Sequence, residues 1–269
     1  SLANPLALTA VTIESHLRDD LGLTGQEHVL AHVNLPGLGP VEGEDQAVLD
    51  GLLAVTATLI MPAFTYQTQV IPQIGPPDNA IQYGTGDEVN ARAEFFRPDL
   101  PIHADFGRVA EALRRAPGSL RSTHPILSFV AQGKGAKAAL SSQTPDNPLG
   151  TLAWLEAHDG FVLMMGHDQR HNYSLHLAEQ RFGRKTFVRW ALTRSGIEEL
   201  AHIPGCMEGF NAIWRDLLSI TRAAQIGLAR CEIIPIRPLL AYAEKRLHQD
   251  PNFLLCDKPS CLSCRAREQ

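Results

Sequence analysis

Short runs of consecutive apolar residues recur along the chain, separated by segments whose apolar positions repeat every three or four residues. The first run, HVLAHVNL at 28–35, reads as a strand. A Gly/Pro loop, GLGPVEGE, follows it, and QAVLDGLLAVTA then has the spacing of a helix. Next, TLIMPAFT at 58–65 predicts a strand and FGRVAEALRRA at 106–116 a helix. ILSFVAQG at 126–133 predicts another strand, GTLAWLEAH at 150–158 a helix, and FVLMMG at 161–166 a fully apolar strand. Between Gln67 and Pro101, prolines and glycines cluster as IGPP and YGTG with little periodicity, which predicts a long loop of the functional or mobile kind. Strands alternating with helices predict an α/β fold, with a central mixed sheet covered by helices on both faces.

Length and composition narrow this picture. A chain of 269 residues that is 44% hydrophobic favours one large core, so a single domain is expected over 1–269. No run of about 18 apolar residues occurs, and the N-terminal SLANPLALTAVTIESHL lacks the basic, apolar and small-residue regions of a signal peptide. A soluble, cytoplasmic protein is expected. The formal net charge of −5 argues against broad binding to nucleic acid or anionic membranes, both of which need concentrated basic surface.

Five cysteines are an odd number and make no disulfide scaffold. Cys256, Cys261 and Cys264 lie in a tail at 250–269 and include a CxxC half-site. With Cys206 they supply four thiolates in two groups, the arithmetic of a structural tetrahedral zinc site; free thiols are the alternative. Cys231 reads as a core thiol.

The candidate chemistry gathers in GHDQRHNYSLHLAEQ, residues 166–180, immediately after the apolar FVLMMG. Ligands of open α/β sheets collect outside the carboxyl ends of strands. Asn172 is expected to cap a helix from Tyr173 to about Arg181, which puts His176 and Glu179 on one face. The positive end of that helix disfavours imidazolium and favours a neutral His176 able to accept a proton, with Glu179 orienting the ring. A metal reading also exists, because His167, His171, His176 and Asp168 are enough ligands for a metal-dependent hydrolase. Their spacing matches no zinc signature. His167 and His171 otherwise read as capping or packing residues.

The same stretch resembles the signature of the aminoglycoside 3-N-acetyltransferase family, a strand followed by G-H-D-x-x-x-N-x-x-x-H-x-x-E. RSTHPILSFVAQG at 121–133, LIMPAFT at 59–65 and FGRVAEALRRAPGSLRS are similar to further family segments, in the same order. The resemblance implies the antibiotic N-acetyltransferase fold. It also implies direct acetyl transfer from acetyl-CoA to a primary amine of an aminoglycoside, the 3-amino group of its 2-deoxystreptamine ring, or of a related amine. His176 is then the general base, Glu179 its orienting partner, and Asp168 and Asn172 substrate-binding residues. Coenzyme A is expected to be held by Asn34, Leu35, Arg121, Ser122, His124 and Ser128. The chain departs from the family at HVNL, where relatives read His-Ser-Ser-Leu: Val33 and Asn34 replace two hydroxyls. A catalytically weak CoA- or amine-binding relative is the further alternative. Around the site, Asp168, Glu179, Asp87 and Glu88 are the carboxylates expected to meet a polycation.

Overall fold

The computed structural model describes residues 7–269; the first six residues of the N-terminal stretch considered above lie outside it. Among the described residues, ten strands form two sheets. In chain order they are β1 (His28–Val33), β2 (Thr58–Pro62), β3 (Gln69–Val70), β4 (Leu120–Arg121), β5 (Phe129–Gly133), β6 (Phe161–Met165), β7 (Phe187–Thr193), β8 (Gly196–Ile203), β9 (Arg222–Ile226) and β10 (Ala229–Pro235). The helices are α1 (Ala10–Asp19), α2 (Glu44–Ala54), α3 (Asp87–Arg92), α4 (Gly107–Arg115), α5 (Ala136–Ser141), α6 (Gly150–Ala157), α7 (Leu175–Phe182), α8 (Trp214–Leu217), α9 (Ile236–Gln249) and α10 (Leu262–Arg265).

The larger sheet runs in the order β4-β5-β2-β1-β6-β10-β9. Its centre is parallel, β1 lying between β2 and β6, while β5 and β10 add antiparallel on either side. This is the mixed sheet that the alternation of elements implied. β6 is wholly apolar, and β1 and β2 are mostly so, because both faces are covered. Along β1, Val29, Ala31 and Val33 join a core shared with α1, α2 and α4, whereas Leu30 joins a second core with α6, α7 and α9. β6 splits the same way, Leu163 and Met165 to the first core, Val162 and Met164 to the second. Cys231, on β10, is fully buried in the first core, as its apolar setting suggested.

α1 starts where the sequence can close its first turn. Thr9 Oγ1 accepts from the Thr12 N–H at 3.2 Å, and Thr12 Oγ1 accepts from the Thr9 N–H at 2.7 Å, a reciprocal cap that satisfies two end donors. Ile13 and Leu17, four residues apart, then face the core.

The segment 67–101 is more ordered than its composition predicted. It contributes β3, which pairs antiparallel with β7, and the short helix α3; the Phe96 N–H also donates to Leu192 O at 2.9 Å. Backbone pairing to a later strand supplies the order that local periodicity lacked. The three-stranded sheet β3-β7-β8 that results was not anticipated. Among the described residues, no helix is long and apolar enough to cross a membrane.

Candidate active site

Strand β6 delivers its chain into the site through Gly166, whose φ of +71° is one that L side chains rarely adopt. The turn is tied to the first loop: Asn34 Nδ2 donates to Gly166 O at 3.1 Å, and Asn34 Oδ1 accepts from the Gly37 N–H at 3.2 Å. Asn34 thus joins the ends of two parallel strands, donating through the nitrogen of its carboxamide and accepting through the oxygen.

Two adjoining clefts open here. One, of about 700 Å³, is lined by Val33, Asn34, Leu35, Glu42, Glu44 and Arg108, among others. The other, of about 440 Å³, is lined by His32, Tyr66, Phe106, Arg170, His171 and Tyr173, among others; Val33, Asp105 and His167 border both. His167 and His171 stack at 3.9 Å between ring centroids. Burial first, and then repulsion from His171, lower the His167 pKa to about 4, so the ring is neutral near pH 7. His32 is more deeply buried and lowered to about 3; its Nε2 accepts from the Tyr173 N–H at 3.2 Å. Its role as an anchor for Tyr173 left no trace in the sequence pattern.

Asp168, next to His167, lines neither of these two clefts and is already engaged. Burial raises its pKa, but hydrogen bonds from Arg170 and Asn211 outweigh this and hold it at about 2. Asn172 is fully buried, and its Oδ1 accepts from the Ser174 N–H at 3.2 Å and the Ser174 hydroxyl. The expected cap is thereby corrected. α7 starts at Leu175, with Ser174 as its N-cap, and Asn172 closes a tight turn two residues before that cap.

On α7, His176 and Glu179 meet as their three-residue spacing required. His176 Nδ1 lies 2.7 Å from Glu179 Oε2, and both residues are almost wholly buried, at 2% and 4% exposure. Burial favours a protonated Glu179, but the His176 hydrogen bond and the guanidinium groups of Arg267 and Arg184 hold its pKa below the usual range. An ionised carboxylate only accepts, so the neutral imidazole carries its proton on Nδ1 and leaves a lone pair on Nε2. Burial also lowers the His176 pKa, with Glu179 opposing and the two arginines assisting. Nε2 is buried without a protein partner, and the ring sits edge-on to Tyr173 and Phe210 at 4.7 and 4.9 Å between centroids. Tyr173 has one side on His176 and lines the smaller cleft with the other.

Other expected residues are placed elsewhere. Arg121 donates to the carbonyls of Pro98, Leu100 and Ala63 and to Ser128 Oγ. Ser122 bonds Gln143, His124 Nδ1 accepts from the Ile126 and Leu127 N–H groups, and Ser128 donates to Ala63 O. None of these four is among the residues that line the two clefts. Their polar atoms are consumed in holding the His-Pro segment against β2 and the 98–100 turn. Asn34 and Leu35 do line the larger cleft. Asp87 and Glu88 lie on exposed α3, where Glu88 pairs with Arg92 at 2.7 Å.

His167, His171 and His176 do not converge on a common point, since His176 is turned to Glu179 behind Tyr173. Among the described residues, one group has ligand atoms close enough to share a metal ion: Cys206, Cys256, Cys261 and Cys264, whose Sγ atoms all lie within 4.8 Å of one another. Hydrogen bonding with Cys206 is the largest influence on Cys264 and pushes its thiol pKa down.

Comparison with known proteins fits this arrangement. The family model described as aminoglycoside 3-N-acetyltransferase matches residues 30–248. Aminoglycoside N(3)-acetyltransferase IX of Micromonospora chalcea is 31% identical over 255 residues, covering 83% of this chain and 88% of that protein. In fold, the chain is similar to the aminoglycoside acetyltransferase AAC(3)-IVa apoenzyme, with a TM-score of 0.80, 24% identity and 98% of each chain covered. It is also similar to AAC-IIIb in its binary complex with CoASH, with a TM-score of 0.72, 22% identity and coverage of 90% and 96%. With its mixed sheet, its His-Glu pair behind the end of β6 and a match over most of its length, this chain belongs to the aminoglycoside 3-N-acetyltransferase family of acyltransferases.

Proposed function

We propose that the protein transfers an acetyl group from acetyl-CoA directly to a primary amine of an aminoglycoside, with His176 as general base. The observation that carries this reading is the buried His176–Glu179 pair, which leaves an unpaired Nε2 lone pair on a neutral imidazole. An amine is protonated near neutral pH and attacks a thioester only after losing that proton. Nε2 takes it, nitrogen bonds to the acetyl carbon, and the C–S bond breaks to release the CoA thiolate. Positioning both reactants supplies much of the remaining rate. Coenzyme A is supported by the complex of AAC-IIIb with CoASH, and we place it against Asn34 and Leu35 in the larger cleft. The acceptor class is supported by the name of the Micromonospora enzyme. Tyr173 stands between the smaller cleft and His176, so the acceptor amine reaches Nε2 past its ring. The test is release of free thiol from acetyl-CoA with a panel of amines, repeated with a chelator. Amine-dependent release that the chelator leaves intact at its first turnovers supports the reading; saturable CoA binding without release overturns it.

The acceptor is held by fewer carboxylates than the sequence suggested. Glu179 is buried against two arginines, Asp168 is engaged by Arg170, and Glu44 is paired with Arg108 at 2.6 Å. Asp105, which borders both clefts, is the carboxylate left to meet cationic rings. Each exposed ion pair contributes up to about 1 kcal/mol and is screened by salt. Some common aminoglycosides are therefore expected to be poor substrates, with KM rising as salt rises. Measuring kcat/KM for several aminoglycosides at two ionic strengths checks this, and uniformly high, salt-independent values would contradict it.

We also assign Cys206, Cys256, Cys261 and Cys264 as a structural zinc site. A tetrahedral site with bonds of about 2.3 Å has thiolates about 3.8 Å apart, a spacing that this group reaches with small adjustments. The metal would fasten the 250–269 segment to the turn that carries Cys206. Protein purified under reducing conditions without chelator is expected to hold about one equivalent of zinc. Cys261→Ser is expected to remove it and lower Tm by several degrees. Elemental analysis that finds no zinc disposes of the assignment.

A further inference from the structure

The His176–Glu179 pair is not supported by α7 alone. Arg267, 88 residues beyond Glu179 and 2% exposed, places Nη1 at 3.2 and 3.3 Å from the two oxygens of that carboxylate. Its other donors belong to the cysteine cluster. Nη2 donates to Cys206 O at 3.0 Å and lies 3.6 Å from Cys264 Sγ, while Nε donates to Ser263 O at 3.1 Å. Ser263 itself accepts from the Cys206 N–H at 2.9 Å. Gly205 keeps this passage open, since a Cβ there would lie 2.6 Å from Arg267 Cζ. One guanidinium therefore has one edge on the carboxylate that orients His176 and the other on the backbone and sulfur of the four-cysteine group.

We propose that Arg267 is a positioning residue for the His176–Glu179 pair, and that the four-cysteine site controls it by holding α10 and the Cys206 turn together. A buried carboxylate keeps its charge and its direction only while its partners are fixed. Arg184 holds Oε1 alone, at 2.6 Å. Arg267 spans both oxygens and fixes the carboxylate plane, and with it the direction in which the imidazole presents Nε2. Opening the cysteine site by loss of metal or by thiol oxidation releases α10, withdraws Arg267 and misdirects the base without touching either cleft. The activity is thereby sensitive to the thiol state of a segment that binds no substrate. This inference rests on the reading of His176 as the base and of the four thiolates as a zinc site.

The test compares Arg267→Met, Arg267→Lys, Cys261→Ser and the Arg267→Met/Cys261→Ser double variant. Arg267→Met is expected to lower kcat about tenfold, with KM for acetyl-CoA within about twofold of wild type. Arg267→Lys should recover part of the loss. Removing a cation that disfavours imidazolium moves the acid limb of the kcat–pH profile to higher pH. The same shift should appear without turnover, in the imidazole ¹⁵N titration of His176, for Arg267→Met and for zinc-stripped wild type. Cys261→Ser should share both effects, and the double variant should be no worse than the poorer single one, because both act through one contact. Arg267→Met with wild-type kcat and an unmoved His176 titration overturns the proposal. So do losses that multiply in the double variant. Should Arg267→Met fail to fold, Arg267→Lys and the zinc-stripped titration decide on the same criteria. Failure of the underlying reading looks different: an active His176→Gln overturns the base, and zinc-free, fully active wild type overturns the metal site.

Discussion

His176→Gln is expected to lose about 10²-fold or more in kcat while KM for acetyl-CoA stays within about twofold of wild type. Glutamine keeps a donor near Glu179 and fills a similar volume, so the fold and the clefts are retained. It has no lone pair basic enough to take a proton from an ammonium group. Because burial lowers the His176 pKa, the acid limb of the wild-type kcat profile should lie below the value of about 6.5 for a free imidazole, and it should be absent from the residual activity of the variant. A His176→Gln enzyme that retains most of its turnover removes the base from the mechanism. Steady-state rates across pH 5 to 8 for both proteins decide the matter.

The second large effect concerns stability. Arg184 is 3% exposed; its Nη1 lies 2.6 Å from Glu179 Oε1, and its Nη2 donates to the carbonyls of Pro251 and Phe253. Arg184→Met leaves a buried carboxylate short of one cation and two carbonyls short of a donor. Breaking a buried pair costs about 3–5 kcal/mol, and the lower end, about 3 kcal/mol, is expected because Arg267 still faces the charge. The pH dependence follows from Glu179, whose pKa in the folded protein is depressed. Its stabilising contribution is fully present above the unfolded value of about 4.3 and disappears as pH falls through the folded value. The gap between wild type and variant should therefore be widest near neutral pH and should narrow in acid. Urea unfolding of both proteins at pH 7 and near pH 4 measures it, and a gap that widens in acid refutes the account.

How much of this was legible depends on what a residue's type reveals about its direction. The central strands were plain because β1, β2 and β6 are covered on both faces, which forces consecutive apolar residues that no surface loop would carry. The His176–Glu179 pairing was legible for the same kind of reason, since a helix fixes where residues three apart point. The local partners of the polar residues of the His-Pro segment were not legible, because an arginine and two serines read alike whether they face a ligand or a carbonyl. Arg121 faces Leu100 O at 2.5 Å and Ala63 O at 2.9 Å, partners 21 and 58 residues away that no local pattern specifies. Arg184 and Arg267 were missed on the same ground: their partner, Glu179, is identified by burial and distance, neither of which is written in the spacing. The hairpin of β7 and β8 carried little signal, since FVRWALT and GIEELAHI do not alternate between apolar and polar positions and are not buried on alternate residues.

The contacts behind α7 also set an order of assembly during synthesis. Glu179 leaves the ribosome 88 residues ahead of Arg267, and Arg184 precedes its acceptor carbonyls at Pro251 and Phe253 by 67 and 69 residues. At about 5–20 residues per second, a nascent chain waits several seconds between making the carboxylate and making the second guanidinium that covers it. During that interval the strands β1, β2 and β6 can already pair, but the back of α7 has no lid and its carboxylate stays hydrated. Closure of the acid–base pair is thus a late event, gated by arrival of the segment after residue 250, and ribosome-bound chains stalled before that point are expected to be protease-sensitive around α7 while their central sheet is protected.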